Sequence, residues 1–378
     1  MAILDAMAFP RVGSPHSLHE GKQLLSLRGR DQSAAHCVVL GVAILLGAAT
    51  GCSSNTFKSA PPTIEPAAAA VSPPVSHNPA GTVRPLPVHA AAAAFDGGTH
   101  RLAVLAPGAA PAGRSSVTVF DAPETAPRVV DLPGPASAMT DDGHGTLFLA
   151  ARGGYFVVDL RTGHTGEVSV ADAQQADFTA VAQRADGKLV LGSADGAVYT
   201  LTSPTPGAVA TATAGSRTKI FARVDCLATQ GNTTAVLDRG QTSVTTLGAD
   251  GRVQQALRAG EGATTMAADP WGRILVADTR GGQLLVYGVD PLILRQAYPV
   301  PQAPYGLAGS RALAWVSQTA SNMVIGYDLS TGIPVEKVRY PTVQQPNSLG
   351  FDEASDTLYV VSGSGAGVQV IEHAAGGR

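Results

Sequence analysis

Cysteine and tryptophan are scarce in this 378-residue chain, which has three cysteines and two tryptophans. Cys37 and Cys52 lie within and at the end of one apolar run, which leaves Cys226 alone in the rest of the sequence. A disulfide framework within the main domain is therefore excluded. Because no neighbouring His or Lys is present to lower its pKa, we expect Cys226 to be a small buried side chain in a strand and not a reactive thiol.

Charged residues are also few, at 15%, and the formal net charge is −3. No run of Lys or Arg is present, so nucleic acid is not an expected partner. Aromatic residues make up only 5% of the chain, which disfavours the stacked pocket of a quinone-dependent enzyme, and we expect Trp271 and Trp315 to pack in the core. The glycine pairs precede strands and not helices, which disfavours a phosphate-binding loop. No cofactor is predicted.

Glycine and proline, in contrast, are abundant, with 43 and 26 residues. Both residues punctuate turns, so many short elements are expected in place of long helices. With 44% hydrophobic residues, the chain has enough apolar side chains for a large core. This composition favours an all-β fold.

Residues 1–51 have the layout of a bacterial signal peptide. A 13-residue apolar stretch, 37–49, follows several basic residues and is too short to span a bilayer comfortably. It leads into Ala49-Thr50-Gly51-Cys52, which resembles the bacterial lipobox, although Ala49 stands where leucine is usual. The resemblance implies that Cys52 becomes the new N-terminus and carries acyl chains such as palmitate. The alternatives are an ordinary secretion signal or a membrane anchor with an incidental cysteine.

A lipid on Cys52 would make the membrane a partner of the protein. Two acyl chains are needed for lasting attachment, because one chain binds weakly and each buried methylene adds about 0.8 kcal/mol. The predicted location is the extracytoplasmic face of the bacterial plasma membrane. Residues 52–82 are rich in Pro, Ala and Ser and predict a disordered or polyproline-like spacer, which would reach on the order of 90 Å if extended.

A pattern of two short strands recurs seven times within residues 83–378, the predicted main domain. Equivalent points in successive copies are separated by 39 to 46 residues, a period that indicates a propeller or a solenoid. The equivalent points are Ala94, Met139, Val181, Leu227, Met266, Leu307 and Leu349.

Each copy continues into a third strand, such as GYFVVDL, and most continue into a fourth, such as VEKVRYPTV. The last copy lacks a fourth strand, but TVRPLPVHA at 82–90 has that pattern and precedes the first copy. Pairing of the two ends would close the ring and remove an exposed sheet edge. The predicted fold is an all-β, seven-bladed β-propeller of four-stranded blades, closed by the N- and C-terminal strands.

The segments GYFVVDLRTG, MVIGYDLSTGIPVEKV and PNSLGFDEASDTLYVV resemble the repeats of YncE-like and NHL-like bacterial propellers over residues 83–373. With GCSSN, PPTIEP and TKIFARVD, they make the whole chain similar to conserved mycobacterial lipoproteins of the LppL type. This resemblance implies a fold and a location in the cell envelope. It implies no particular function, because one fold hosts many functions.

In a propeller, the loops from the fourth strand into the first and from the second into the third share one face, here called the loop face, where ligands usually bind. The opposite face receives His100, His144, His164 and His373, which disfavours histidine-based catalysis at the loop face. The candidate ligand residues on the loop face are Arg152, Asp195, Asp238, Arg239, Asp278, Arg280, Tyr305 and Asn322.

Two functions are compatible with these residues. Their mixed charges suit a binding or scaffolding module for a protein, a glycan or a small envelope molecule. The alternative is a metal-assisted lactonase or hydrolase, in which Asp195, Asp238 and Asp278 would hold Ca²⁺ through oxygen ligands. Tight turns also use Asp for their backbone geometry, so no catalytic residue is assigned.

Overall fold

The computed structural model describes residues 62–110, 112–121, 125–202 and 210–376. These residues form 29 β-strands and no helix, so the described part of the chain contains no helix that could cross a membrane. The strands make seven sheets, which are the seven blades of the predicted β-propeller. The predicted signal peptide and Cys52 lie outside the described residues.

The first three blades contain their strands in chain order from the channel outwards, named a to d. Blade 1 consists of β2 (Ala92–Asp96), β3 (Arg101–Ala106), β4 (Ser116–Phe120) and β5 (Arg128–Asp131). Blade 2 consists of β6 (Ala136–Asp141), β7 (Thr146–Ala151), β8 (Gly154–Asp159) and β9 (Thr165–Val170). Blade 3 consists of β10 (Phe178–Gln183), β11 (Leu189–Ser193), β12 (Ala197–Leu201) and β14 (Ala214–Lys219).

The next three blades follow the same order. Blade 4 consists of β15 (Cys226–Gln230), β16 (Thr233–Asp238), β17 (Ser243–Leu247) and β18 (Val253–Arg258). Blade 5 consists of β19 (Ala263–Ala268), β20 (Arg273–Asp278), β21 (Gln283–Val289) and β22 (Leu292–Pro299). Blade 6 consists of β23 (Pro304–Gly309), β24 (Ala314–Gln318), β25 (Met323–Asp328) and β26 (Val335–Pro341).

Blade 7 joins the two ends of the described chain. Its first three strands are β27 (Pro346–Asp352), β28 (Thr357–Ser362) and β29 (Val368–Ile371), and its outer strand is β1 (Thr82–Arg84). β1 pairs antiparallel with β29, with Val83 opposite Gln369. The predicted closure of the ring is therefore confirmed.

The core is divided among the blade interfaces. Seven clusters of buried apolar side chains occur, and each draws its members from two adjacent blades, including blades 7 and 1. Hydroxyl groups on inner strands also bond to the next blade, as Ser137 does to the carbonyl of Phe178 and Thr179 to that of Val224, both at 2.6 Å. Every blade thus depends on two neighbours, which ties the ring into one unit.

Three details differ from the sequence expectation. Blade 2 has a fifth strand, β13 (Thr211–Ala212), which pairs parallel with β9 and comes from the c–d connection of blade 3. Trp315 is fully buried as expected, but Trp271 is 65% exposed, because it lies in the turn between β19 and β20 and not in a strand. Residues 64–73, which belong to the predicted spacer, make hydrogen bonds to the propeller.

Candidate functional site

The a strands of the seven blades surround a central channel of about 410 Å³. Each strand or its preceding loop contributes three successive residues to the wall, so the lining forms layers with one residue per blade. The layer farthest from the loop face is apolar and consists of Ala93, Met139, Val181, Leu227, Met266, Leu307 and Leu349. Six of these seven residues are the equivalent points predicted from the sequence. In blade 1 the predicted point, Ala94, is wrong by one residue, because Ala93 lines the channel.

The layer nearest the loop face forms an uneven polar mouth. Blades 1 and 2 contribute small side chains there, whereas Asp225, Tyr305 and Asn347 come from blades 4, 6 and 7. Arg239 reaches the same mouth from the b–c loop of blade 4. One side of the channel mouth is therefore lined by small residues, and the other side is lined by polar residues.

Two polar groups at this mouth have no partner among the described residues. The Nε atom of Arg239 is buried without a hydrogen bond, and none of the described hydrogen bonds uses the hydroxyl of Tyr305. Burial raises the pKa of Tyr305, and the charge of Arg239 opposes this effect, so the phenol stays a neutral donor. The Nε atom is closed off from solvent, but the rest of the Arg239 side chain and the Tyr305 hydroxyl line the channel and offer N–H and O–H donors to a molecule in it.

Asp225 and Asn347 are already engaged. Asp225 accepts hydrogen bonds from the backbone N–H of Arg239 at 2.9 Å and from the side chain of Arg223 at 3.2 Å. Asn347 Oδ1 accepts one from the side chain of Gln345 at 3.0 Å. These contacts fix the walls of the mouth, to which Arg239 and Tyr305 add N–H and O–H donors.

Cys226 lies beside the mouth at the start of β15 and bonds weakly to the carbonyl of Met266, at 3.5 Å. Burial raises the pKa of its thiol to about 11. The thiol is therefore protonated at neutral pH, which agrees with the structural role expected from the sequence.

Asp238 and Asp278 are fully buried and hold their own loops together. The carboxylate of Asp278 accepts backbone N–H bonds from Glu261, Gly262 and Gly281 at 2.8 to 3.0 Å. Asp238 accepts equivalent bonds from Ala222 at 2.7 Å and Gln241 at 3.0 Å. Both side chains thus serve turns, as Asp commonly does.

Asp195 lies apart from those two residues and is half-exposed. Hydrogen bonds from Lys219 and Ser193, both at 2.6 Å, lower the pKa of Asp195. The three aspartates expected to share a Ca²⁺ ion therefore have separate partners. In the described part of the chain, no group of three or more His, Cys, Asp or Glu is placed to hold a metal ion.

Arg152 is exposed at the edge of blade 2, where it donates to Gln175 Oε1 at 2.9 Å. Gln175 and Asp195 both line a hollow of about 380 Å³ between blades 2 and 3. Arg152 and Asp195 are therefore open to solvent away from the channel.

Arg239 and the two remaining candidates, Arg280 and Asn322, hold residues 62–73, here called the docked segment, against the loop face. Arg239 donates to the carbonyl of Ala67, Arg280 to that of Glu65 at 2.8 Å, and Asn322 to that of Pro73 at 2.8 Å. The segment runs from blade 4 to blade 7 along this face. Sequence reasoning had placed these three side chains on the correct face but had not found what they bind.

Gln345, in the loop before β27, makes the densest contacts with the docked segment. Its Nε2 donates to the carbonyl of Ala70 at 2.9 Å, its Oε1 accepts from the N–H of Ser72 at 3.0 Å, and its own N–H donates to the hydroxyl of Ser72 at 3.0 Å. Ser72 also donates to the carbonyl of Thr319 at 2.6 Å and is buried. No motif marks Gln345, Thr319 or Ser72 in the sequence, because each contact involves a backbone group.

No protein-family model matches the chain, and no curated protein matches it. Solved structures do match. A mitotic checkpoint complex chain is 11% identical with a TM-score of 0.63, covering 81% of this chain and 96% of that chain. The likeness is one of fold.

Two other solved structures match over a similar length. Virginiamycin B lyase from Staphylococcus aureus is 9% identical with a TM-score of 0.60, covering 77% of this chain and 98% of the lyase chain. Kuenenia stuttgartiensis hydrazine synthase is 13% identical with a TM-score of 0.60, covering 77% and 97%. At such identities these matches support the propeller fold and leave function to be argued from the site.

Proposed function

We propose that the protein is a lipid-anchored binding module of the bacterial cell envelope, held by Cys52 on the extracytoplasmic face of the plasma membrane. The polar mouth of its channel binds a hydrogen-bond-accepting or anionic group of an envelope molecule, which is a small molecule, a glycan or part of a protein. The propeller fold supports a binding or scaffolding role, since propellers commonly serve such roles.

The observation that carries the proposal is the pair of donor side chains that line the mouth, the guanidinium of Arg239 and the hydroxyl of Tyr305. They face a preformed channel of about 410 Å³, which lies in the range of small-molecule sites, about 300–1,000 Å³. A group that accepts hydrogen bonds from both would satisfy donors that the described residues leave open. A neutral apolar ligand would leave both donors unpaired, at a cost of about 1–3 kcal/mol each.

The docked segment shortens the free part of the tether in the anchored protein. Residue 62 is ten positions after Cys52, and a chain of that length spans at most about 36 Å. This is much shorter than the reach expected of a free spacer, because the following residues lie along the propeller. With a lipid on Cys52, this length would keep residue 62 of the docked segment within about 36 Å of the membrane surface.

Native mass spectrometry of the full-length lipoprotein, purified from its own envelope in detergent, tests the proposal. We expect a stoichiometric bound mass, and we expect Tyr305→Phe to lose it or to weaken its binding about tenfold, as removal of one hydrogen bond in a closed site does. Arg252→Ala, an exposed arginine of the opposite face, is the matched control and should keep the bound mass. Cys52→Ala should move the protein out of the membrane fraction.

The two parts of the proposal, the binding site at the mouth and the lipid anchor, can be contradicted separately. A protein that carries no bound mass, or that carries it equally with Tyr305→Phe, would contradict the mouth as a binding site. A Cys52→Ala protein that stays in the membrane fraction would contradict the lipid anchor.

A further inference from the structure

A hollow on the opposite face lies between blades 5 and 6. Its volume is about 400 Å³, and its side chains include Trp271, Arg273, Arg295, Arg311, Asp328 and Ser330. The a–b turns of both blades and the c–d turn of blade 6 form its rim. It is therefore separate from the polar mouth and from the docked segment, which belong to the loop face.

Trp271 presents its ring to solvent but is held in place. The indole N–H donates to the backbone carbonyl of Arg311 at 2.9 Å, and the backbone N–H of Trp271 donates to Asp269 Oδ1 at 3.0 Å. An exposed indole face is an apolar surface with a negative electrostatic potential, which attracts C–H groups. Because the ring is already oriented, little side-chain freedom is lost when a ligand stacks on it.

The charges around Trp271 are unbalanced. Arg273 is paired with Asp269 at 2.5 Å, and Asp328 with Lys337 at 3.5 Å. Among the described residues, neither Arg295 nor Arg311 has a carboxylate within 4.0 Å of its guanidinium. The hollow thus contains two exposed guanidinium groups without counter-charge.

Glu353 lies beside the rim but bonds to the backbone of Arg311 and not to its guanidinium. Its Oε1 accepts a hydrogen bond from the backbone N–H of Arg311 at 2.6 Å, and no ion pair joins it to the Arg311 side chain among the described residues. An arginine without a partner offers a planar fork that matches carboxylate and phosphate groups. The hollow is therefore suited to an anion with an attached apolar surface.

We propose that this hollow binds an anionic saccharide. The C–H face of a sugar ring stacks on Trp271, while its carboxylate or phosphate accepts hydrogen bonds from Arg295 and Arg311. Asp328 supplies an acceptor for sugar hydroxyls and Ser330 a hydroxyl that both donates and accepts. An acidic peptide is disfavoured, because it has no flat face of C–H groups to stack on the exposed ring of Trp271.

Calorimetric titration of the full-length protein with trigalacturonate, a uronic-acid trisaccharide, tests this proposal. We expect saturable binding that is about tenfold tighter than that of the neutral trisaccharide maltotriose, and about tenfold weaker in Arg295→Gln and in Arg311→Gln, because each loses a charge-assisted hydrogen bond. Trp271→Leu should abolish it. Arg252→Gln, an exposed arginine in the c–d turn of blade 4 on the same face, is the matched control and should bind normally.

Tryptophan fluorescence gives a site-specific readout, since Trp315 is buried and stacked on Phe351 and a change on titration reports Trp271. Failure of trigalacturonate to bind would overturn the proposal. Equal binding of maltotriose or of the acidic peptide triglutamate would also overturn it. None of these outcomes bears on Tyr305 or Cys52, so this proposal and the proposed function stand or fall separately.

Discussion

Asp141, in blade 2 at the end of β6, is a carboxylate whose surroundings disfavour its charge. Burial, followed by the nearby carboxylate of Asp96, raises the pKa of Asp141 from 3.8 to about 6, although the N–H of Gly143 donates to it at 3.0 Å. The folded protein therefore holds this proton more tightly than the unfolded chain does. Stability falls as the pH rises from about 4 to about 6, the interval between the two pKa values.

Asp141→Asn removes that charge and keeps the oxygen that accepts from Gly143. We expect the substitution to raise the free energy of unfolding at pH 7 by about 2 kcal/mol, because one pKa unit corresponds to about 1.4 kcal/mol and part of the side chain is solvated. At pH 4 the difference should nearly vanish, since the aspartate is then protonated. Urea unfolding at the two pH values measures both effects, and Asp250→Asn, an exposed aspartate on the same face, is the control. Equal effects at both pH values would contradict this account.

The candidate ligand residues could be predicted as far as their face of the propeller. Loop position follows from strand order, which is why Arg239, Arg280 and Tyr305 were found on the loop face. Their individual roles could not be predicted, because these depend on contacts between segments far apart in the chain. Arg239, for example, divides its guanidinium between the docked segment and the channel mouth.

At the scale of single elements, the strands were predictable wherever bulky apolar residues set the register. The inner strands of blades 2 to 7 contain a Met, Val or Leu at the channel position, and all six points were assigned correctly. The inner strand of blade 1 begins within a run of alanines, 90–94. No bulky side chain there marks which residue faces the channel. The predicted residue, Ala94, is therefore one position after the observed one, Ala93.

The docked segment could not be predicted from composition. It contains few bulky apolar residues, so its sequence cannot bury enough surface to fold alone. It is held instead by side chains of the propeller that bond to its carbonyl and N–H groups. Such contacts need no particular side chain in the segment itself, with Ser72 as the exception.

Gln345→Ala should release the docked segment without unfolding the propeller. The substitution removes the side-chain bonds to Ala70 and Ser72, which satisfy one carbonyl and one N–H of the segment. We expect limited proteolysis within residues 62–73 to speed up about tenfold, while the urea midpoint of the propeller changes little. Gln254→Ala, an exposed glutamine on the outer strand of blade 4, should alter neither quantity. A large loss of global stability in Gln345→Ala would show that the segment is part of the folding core.

At the scale of the whole molecule, the ring is closed by a short strand. β1 has three residues, and each pairs with a residue of β29. The buried side chain of Gln369 adds to this closure, since its Nε2 donates to the carbonyls of Ala80 and Pro341 at 2.7 and 3.0 Å. The closing pair was predictable because the sequence has a fourth-strand pattern at one end and lacks it at the other.

Gly81, immediately before β1, tests how far this closure supports the whole ring. It has a φ of +71°, and a Cβ atom there would lie 2.1 Å from the carbonyl oxygen of Val370 in β29. Gly332 is the matched control, because its φ is +80° but a Cβ atom would meet nothing within 4 Å. Gly332→Ala should cost about 1 kcal/mol, the conformational penalty of this backbone region. Gly81→Ala should lower the free energy of unfolding by about 3 kcal/mol, because the new Cβ atom also displaces β1 from β29.

Because each blade packs against two others, we expect urea unfolding of Gly81→Ala to remain one transition at a lower midpoint. Equal losses in the two variants would mean that β1 adjusts without strain, and a separate early transition would mean that blade 7 unfolds without the rest of the ring.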